Sequence, residues 1–325
     1  MAELPPIITL GCDLGGTNVR VAVLDGGGRV HASVKRKLTD RNPAAVAREL
    51  AEGAREVLES VGAPLSRVEG IGVGTAGQIL GSTGMVLVGP NLGWRDVPFG
   101  DLLARELGRP VRVVNDLSAA AWGEASVGGA RGERNVVLVF VGSGVGSGLI
   151  LGGKLYEGAG GLAGEFGHVK VVPGGRPCGC GERGCLEAYV GGHNIARRIR
   201  ELEAGGAAKA ILKAAGGDPT RIGGSALEIA AEEGDPEAVA LRDEMAQMLG
   251  VAVGNLITVL NPSRLILGGG VLTGMPGLKR RTVEWVRRAG QPAHVRQLTI
   301  IDAELGDDSG IVGAGLLGLA ATPGV

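Results

Sequence analysis

His168, Cys178, Cys180 and Cys185 stand together in the stretch GEFGHVKVVPGGRPCGCGERGCLE. A Cys3His set is chemically suited to zinc, which takes four nitrogen and sulfur ligands in a tetrahedron. A filled shell leaves no position for water, so such a site is structural rather than catalytic. Three reduced cysteines in a glycine loop beside an unrelated histidine is the competing reading, which the spacing disfavours. Cys12 lies far from the cluster in an apolar run and reads as a buried strand residue. Glu165 and Glu187 bracket the loop. A metal that fixes the loop therefore also fixes two carboxylates able to accept hydrogen bonds from a substrate's hydroxyls.

Three glycine turns follow apolar strands: DLGGT at Asp13 to Thr17, GSGVGSG at Gly142 to Gly148, and GGGV at Gly268 to Val271. Backbone N–H groups at Gly15, Gly16, Gly142, Gly144, Gly146, Gly268, Gly269 and Gly270 can point at phosphate oxygens without interference from a Cβ, and Thr17 and Ser143 add hydroxyl donors. Any one of these turns alone is equally a tight hairpin. Asp13 raises the set above that reading, because a carboxylate at a strand end before the first turn can hold magnesium through water. Neither a Walker lysine motif nor a full dinucleotide fingerprint is present. The phosphate-binding pattern resembles the actin-like ATPase scheme. Asn115 and Asp116 close a further apolar strand. A carboxylate there can act as general base on a hydroxyl that receives a phosphoryl group, with Asn115 orienting a neighbouring hydroxyl. The same pair before SAAAW also reads as a helix N-cap, and local sequence leaves the two open.

The elements that position these residues follow from hydrophobic periodicity. Ile7 to Asp13, Val19 to Asp25 and Val30 to Lys37 predict an antiparallel meander. Asn42 and Pro43 open a helix with Ala47, Leu50, Ala54, Val57 and Val61 on one face. Val68 to Val73, a helix near Asp101 to Leu107 and Val111 to Asn115 then give strand, helix, strand, an α/β arrangement. The segment from Val137 to Lys154 repeats the opening strand, glycine turn, strand layout, which predicts a duplicated core. Helices follow at His193 to Ala204, Ala207 to Ala215, Ser225 to Glu233 (with Ser225 and Glu228 as a capping box) and Pro236 to Leu260.

The chain has 325 residues, which favours two lobes over one core. Residues 1–117, completed by a helix over 308–325, are expected to form a small α/β lobe; 118–307 form a large one carrying the zinc loop at 165–187, with a hinge near 115–120. Gly 61 and Pro 15 are high counts, but 44% hydrophobic residues supply ordered cores. Aromatic residues are 2% and the net charge is -1, so neither a base-stacking platform nor a basic footprint for nucleic acid or a membrane is expected. The start MAELPPIITL lacks the pattern of an export signal, and reduced clustered cysteines point to the cytoplasm.

With DLGGTNVRVAVLD, VGTAG, PNLGW, VNDLSAAAWGEASVG, GSGVGSGLI, GEFGH, CGCGERGCLE and LILGGGV in place, the sequence resembles the ROK family nearly end to end, and within it the bacterial ATP-dependent glucokinases. The resemblance implies an actin-like ATPase (ribonuclease H-like) fold with two lobes around a cleft. It implies Asp116 as catalytic base and sugar contacts at Gly77, Asn91, Asn115, Asp116, Glu165, His168 and Glu187, with His168 serving zinc and sugar through different ring nitrogens. It further implies ATP with Mg2+, phosphate contacts at Gly15 to Thr17 and Gly142 to Gly146, adenosine contacts around Gly268 to Val271, structural Zn2+, and a homodimer or homotetramer. The sequence departs from the family at Thr75 to Gly77 (TAG), at NDLS and at Gly191. Glucose is the expected acceptor; N-acetylmannosamine, fructose and allose are alternatives, as is polyphosphate for ATP. A sugar-binding regulator is the rival class, but the twelve residues before Asp13 are too few for a DNA-reading module.

Overall fold

The computed structural model describes residues 5–320. Alternating apolar residues build β1 (Ile8–Leu14), β2 (Asn18–Asp25) and β3 (Val30–Lys37), which pair antiparallel in sequence order. Side chains alternate across a strand, and β2 is covered on both faces: Val19, Val21 and Val23 enter one core cluster, while Ala22 and Leu24 enter another. Asn42 caps α1 (Pro43–Ser60) by accepting the Ala44 N–H at 3.0 Å. The helix buries Val46, Leu50, Ala54 and Val57. β4 (Val68–Thr75) lies parallel beside β1. A small antiparallel sheet of β5 (Gln78–Leu80), β6 (Met85–Gly89) and β7 (Trp94–Val97) precedes α2 (Phe99–Leu107). β8 (Arg112–Asn115) then joins β4 in parallel and runs directly into α3 (Asp116–Ser126).

The layout then repeats with β9 (Val136–Val141), β10 (Val145–Leu151) and β11 (Lys154–Leu155). A helical stretch follows: α4 (Glu187–Val190), α5 (Gly192–Ala204), α6 (Lys209–Ala214), α7 (Gly224–Glu232) and α8 (Pro236–Leu260). After β12 (Arg264–Gly268) come α9 (Gly270–Gly274), α10 (Pro276–Ala289), α11 (Pro292–Gln297), β13 (Thr299–Asp302) and α12 (Ser309–Ala320). The first large sheet has the order β3-β2-β1-β4-β8 and the second β11-β10-β9-β12-β13. Strand for strand the orders match, as a duplicated core requires.

The chain forms two compact units. One holds residues up to 138, 148–164 and those from 303 onward; the other holds 139–147 and 165–302. These bounds differ from the lobes expected at 1–117 and 118–307. α3 groups with the first unit because Val114, Ala119, Ala314 and Leu317 form one buried cluster between β8, α3 and α12. The expected hinge at 115–120 therefore lies inside that unit. Of the expected closing helix at 308–325, residues 309–320 are α12 and 321–325 lie outside the described residues.

In the first unit, α1 and α2 cover one face of the sheet with Leu50, Val57, Phe99 and Leu103. The opposite face is covered by Ile311, Val312 and Leu316 of α12. In the second unit the long α8 is buried at Leu241, Met245, Leu249, Val253 and Ile257. It starts at Asp235, whose carboxylate accepts the Ala238 N–H at 2.9 Å, and stops at Asn261 in the left-handed conformation. The capping box expected at Ser225 and Glu228 does not form: Gly223 precedes α7 without a side-chain cap, and the Glu228 carboxylate instead accepts the N–H of Gly277 at the start of α10. A buried carboxylate finds a better partner there, since the first N–H groups of a helix have none of their own. Among the described residues no helix is long and apolar enough to cross a membrane.

Candidate functional site

In the first unit the carboxyl ends of three parallel strands lie side by side. Leu14 of β1 is opposite Thr75 of β4, and Thr75 is opposite Asn115 of β8. Thr75 Oγ1 ties the first two ends together by donating to Leu14 O at 3.1 Å. Open α/β sheets bind ligands outside such carboxyl ends, where backbone groups and loop side chains converge. Asp13, Asn115 and Asp116 are thus brought to one edge by strand register.

Of the pair, Asn115 takes the cap position of α3. Asn115 Oδ1 caps α3, accepting the N–H groups of Leu117 and Ser118 at 2.9 and 3.1 Å. Its Nδ2 donates to Gly77 O at 3.1 Å. Asp116 is the first residue of the helix, with Oδ1 3.0 Å from the Leu117 N–H. Gly77 must be glycine: φ is +129°, and a Cβ would stand 2.2 Å from Val88 O.

The turn after β1 is closed by Gly15 N–H on Asn18 O at 3.0 Å. A Cβ on Gly16 would lie 2.9 Å from Asn91 O, so the missing side chain lets Asn91 reach the turn. Asp13 is exposed at the end of β1. Loss of water around it raises its pKa above the usual 3.8, while Arg20 and Lys35 pull it back. Arg20 faces Asp13 across the β1–β2 pair and Lys35 faces Arg20 across β2–β3, so all three share one side of the sheet. The sequence reading missed both cations; hairpin register is the signal that finds them.

In the second unit, His168 ends a 3-10 turn, Phe166–His168, and the three cysteines follow in a loop folded back on itself. Lys170 pairs with Cys185 and Pro177 with Arg183 in antiparallel bridges. Two sulfurs of a zinc tetrahedron lie about 3.8 Å apart at a Zn–S length of about 2.3 Å. Cys180 Sγ is 3.7 Å from Cys185 Sγ, and Cys178 Sγ is 3.7 Å from His168 Nδ1. All four ligand atoms lie within 4.8 Å of one another, and the cysteines are free rather than disulfide-bonded. The separations fit one small tetrahedral ion. Burial pushes the Cys178 thiol up to about 12, so a metal is what would hold it as thiolate.

His168 turns Nδ1 towards Cys178 and Nε2 towards Glu165, whose Oε2 is 3.6 Å away. Glu165 has a raised pKa, first from burial and then from the charge of Glu187, with His168 opposing. Glu187 begins α4 and sends its carboxylate into the glycine turn: Oε2 accepts the Val145 N–H at 3.0 Å, and Oε1 lies 3.9 Å from Cys178 Sγ. A Cβ on Gly144 would sit 2.6 Å from that Oε2. Gly142 and Ser143 carbonyls accept the N–H groups of Gly192 and His193 at 2.8 and 3.3 Å, which fixes the turn against α5. Gly146 lies in β10. Gly268 ends β12, Gly269 packs on the Val141 backbone and Gly270 opens α9, so the two glycine turns of this unit are neighbours. Lys170, absent from the sequence reading, donates from Nζ to Cys185 Sγ at 3.1 Å.

The sequence profile described as "ROK family" matches residues 9–321. A glucokinase of Streptomyces coelicolor is 35% identical over 316 residues, covering 94% of this chain and 96% of that protein. The crystal structure of a ROK family glucokinase from Streptomyces griseus in complex with glucose and AMPPNP superposes with a TM-score of 0.79 at 33% identity, covering 97% of this chain and 100% of that one. A ROK hexokinase from Thermus thermophilus gives a TM-score of 0.82 at 31% identity, covering 96% and 98%.

Proposed function

The chain belongs to the ROK family and is an ATP-dependent sugar kinase with the actin-like ATPase fold; we propose that its acceptor is glucose, converted to glucose 6-phosphate with Asp116 as general base. The observation that carries this reading is the alignment of Leu14, Thr75 and Asn115 at the carboxyl edge of one sheet, with Asp116 starting the helix that leaves it. Asn115 Oδ1 caps that helix, and the neighbouring Asp116 Oδ1 shares the Leu117 N–H at 3.0 Å.

Asp116 accepts the proton of the attacking hydroxyl as the γ-phosphoryl group transfers. Little other covalent work falls to the protein in such a transfer; positioning and charge neutralisation do the rest. Asn115, Asn91 and the Gly77 turn hold neighbouring hydroxyls, and Glu165, Glu187 and the Nε2 of His168 hold others. Backbone N–H groups at Gly15 to Thr17 and Gly142 to Gly146 would cradle phosphates, Asp13 would help hold magnesium, and Gly268 to Gly270 would border the adenosine. His168, Cys178, Cys180 and Cys185 would hold zinc, which would supply a rigid centre for the loop and no reaction step.

The glucokinase relatives support glucose. An ADP-release assay over glucose, N-acetylmannosamine, fructose and allose, with ATP and polyphosphate as donors, tests the choice. The highest kcat/KM is expected for glucose with ATP. A higher value for another sugar reassigns the acceptor, and sugar binding without turnover identifies a regulator.

A further inference from the structure

Three thiolates and a neutral imidazole around a divalent ion carry one net negative charge. Cys185 is fully buried, so its share of that charge is removed from water. We propose that Lys170 is the charge-compensating partner of the zinc–thiolate cluster and sets how tightly the metal is retained. The inference rests on the zinc reading of the preceding subsection.

The placement of Lys170 is dictated by backbone pairing, not by a chance side-chain approach. Val169 O accepts the Leu186 N–H at 2.9 Å, and Val171 N–H donates to Gly184 O at 2.9 Å. These bonds flank the Lys170–Cys185 bridge and put the two residues directly opposite each other. From there Nζ donates to Cys185 Sγ at 3.1 Å, a charge-assisted hydrogen bond. His168 closes the 3-10 turn and Val169 leaves it extended, so one short segment supplies a ligand and, two residues later, a counter-charge. Glu182 Oε2 lies 3.9 Å from Nζ, but its side chain is 72% exposed and competes weakly for the ammonium. An ammonium on a thiolate lowers the charge that the cluster must carry in a buried place, which favours the metal-bound state over the empty one. Partners that hold metal ligands from outside the coordination shell are worth about 10- to 100-fold in metal affinity. The Lys170 side chain is itself 42% exposed, so water screens it and the lower end applies.

The test is zinc affinity of the full chain, measured by competition with a chromophoric chelator at fixed pH for wild type, Lys170→Met and Lys170→Arg. Lys170→Met is expected to weaken zinc binding about 10-fold, while Lys170→Arg, which keeps the charge, stays within about 3-fold of wild type. The thermal midpoint of the metal-free protein is expected to be the same for wild type and Lys170→Met. The proposal is overturned by equal zinc affinity in wild type and Lys170→Met, by Lys170→Arg failing as badly as Lys170→Met, or by an equal loss of midpoint in the metal-free variant. A wild type that binds no zinc overturns the zinc reading itself, a result distinct from each of these.

Discussion

Glu187 Oε2 accepts the backbone N–H of Val145 at 3.0 Å, and through this bond the cysteine–histidine loop and the glycine turn at 142–146 share one carboxylate. The other oxygen of Glu187 lies 3.9 Å from Cys178 Sγ. One glutamate oxygen is thus engaged by the unit's own backbone, while Oε1 makes only the long sulfur contact. Glu187→Ala leaves the Val145 N–H unpaired, which costs about 1–3 kcal/mol where the group stays dry. The expected result is a fall in kcat/KM of about 10- to 100-fold, read in steady-state kinetics with both sugar and ATP varied. A loss confined to one substrate would show that Glu187 does not couple the two segments.

Asp116→Asn is expected to lower kcat about 1,000-fold while the dissociation constant for glucose stays within about threefold, since general-base catalysis contributes roughly 100- to 10,000-fold. Calorimetry for binding and coupled kinetics for turnover separate the two. Asn115→Ala has a different signature. It removes the cap of α3 and is expected to cost about 1 kcal/mol of stability in addition to activity.

Removing zinc is expected to damage binding before chemistry. Cys180→Ala leaves three of the four ligands. Metal analysis should find zinc lost, and the KM for glucose should rise about 10-fold or more with a smaller change in kcat. A zinc-free variant with unchanged KM would make the cluster a remote staple.

Asp13 is expected to trade stability for function. Its folded pKa is raised, chiefly by loss of water around it. The protonated carboxyl is therefore favoured by folding, and that contribution is present below the ordinary carboxylate range and lost as pH rises through the raised value. At about pH 7 the charged group is a net cost, so Asp13→Asn is expected to raise the thermal midpoint by up to about 2 °C. The gain should vanish towards about pH 3, where both side chains are neutral. Phosphoryl transfer in the same variant should fall, measured at saturating magnesium.

Gly77→Ala meets both a positive φ and a carbonyl oxygen 2.2 Å from the new Cβ. A cost of about 2 kcal/mol is expected, lowering the midpoint by roughly 4 °C. Because Gly77 O holds Asn115 Nδ2, the KM for sugar should rise as well. Scanning calorimetry and sugar titration check the two effects.

Periodicity and turn chemistry made much of the fold legible. The meander, the helix capped by Asn42, the strand running into Asp116 and the long helix after Asp235 all lie where residue patterns put them, because each is set by neighbours in the chain. The repeated strand, glycine turn, strand layout was legible for the same reason, whereas the matching order of five strands depends on crossovers between distant segments. The Ser225–Glu228 capping box was not, because Glu228 finds its partner 49 positions away at Gly277. The unit boundary likewise follows the packing of α3 on α12, which no local pattern encodes.

For the site, the sequence by itself determined the inventory: three clustered thiols with an imidazole, glycine turns after apolar strands, carboxylates at strand ends. These are properties of residue type and spacing. Only the tertiary structure decided the allocation. It made Asn115 rather than Asp116 the cap, joined Glu187 to Val145, set Arg20 and Lys35 beside Asp13, and brought Lys170 onto Cys185. The reason is that a side chain's partner is chosen by strand register and loop closure, which depend on residues distant in the chain, whereas its chemistry travels with the residue.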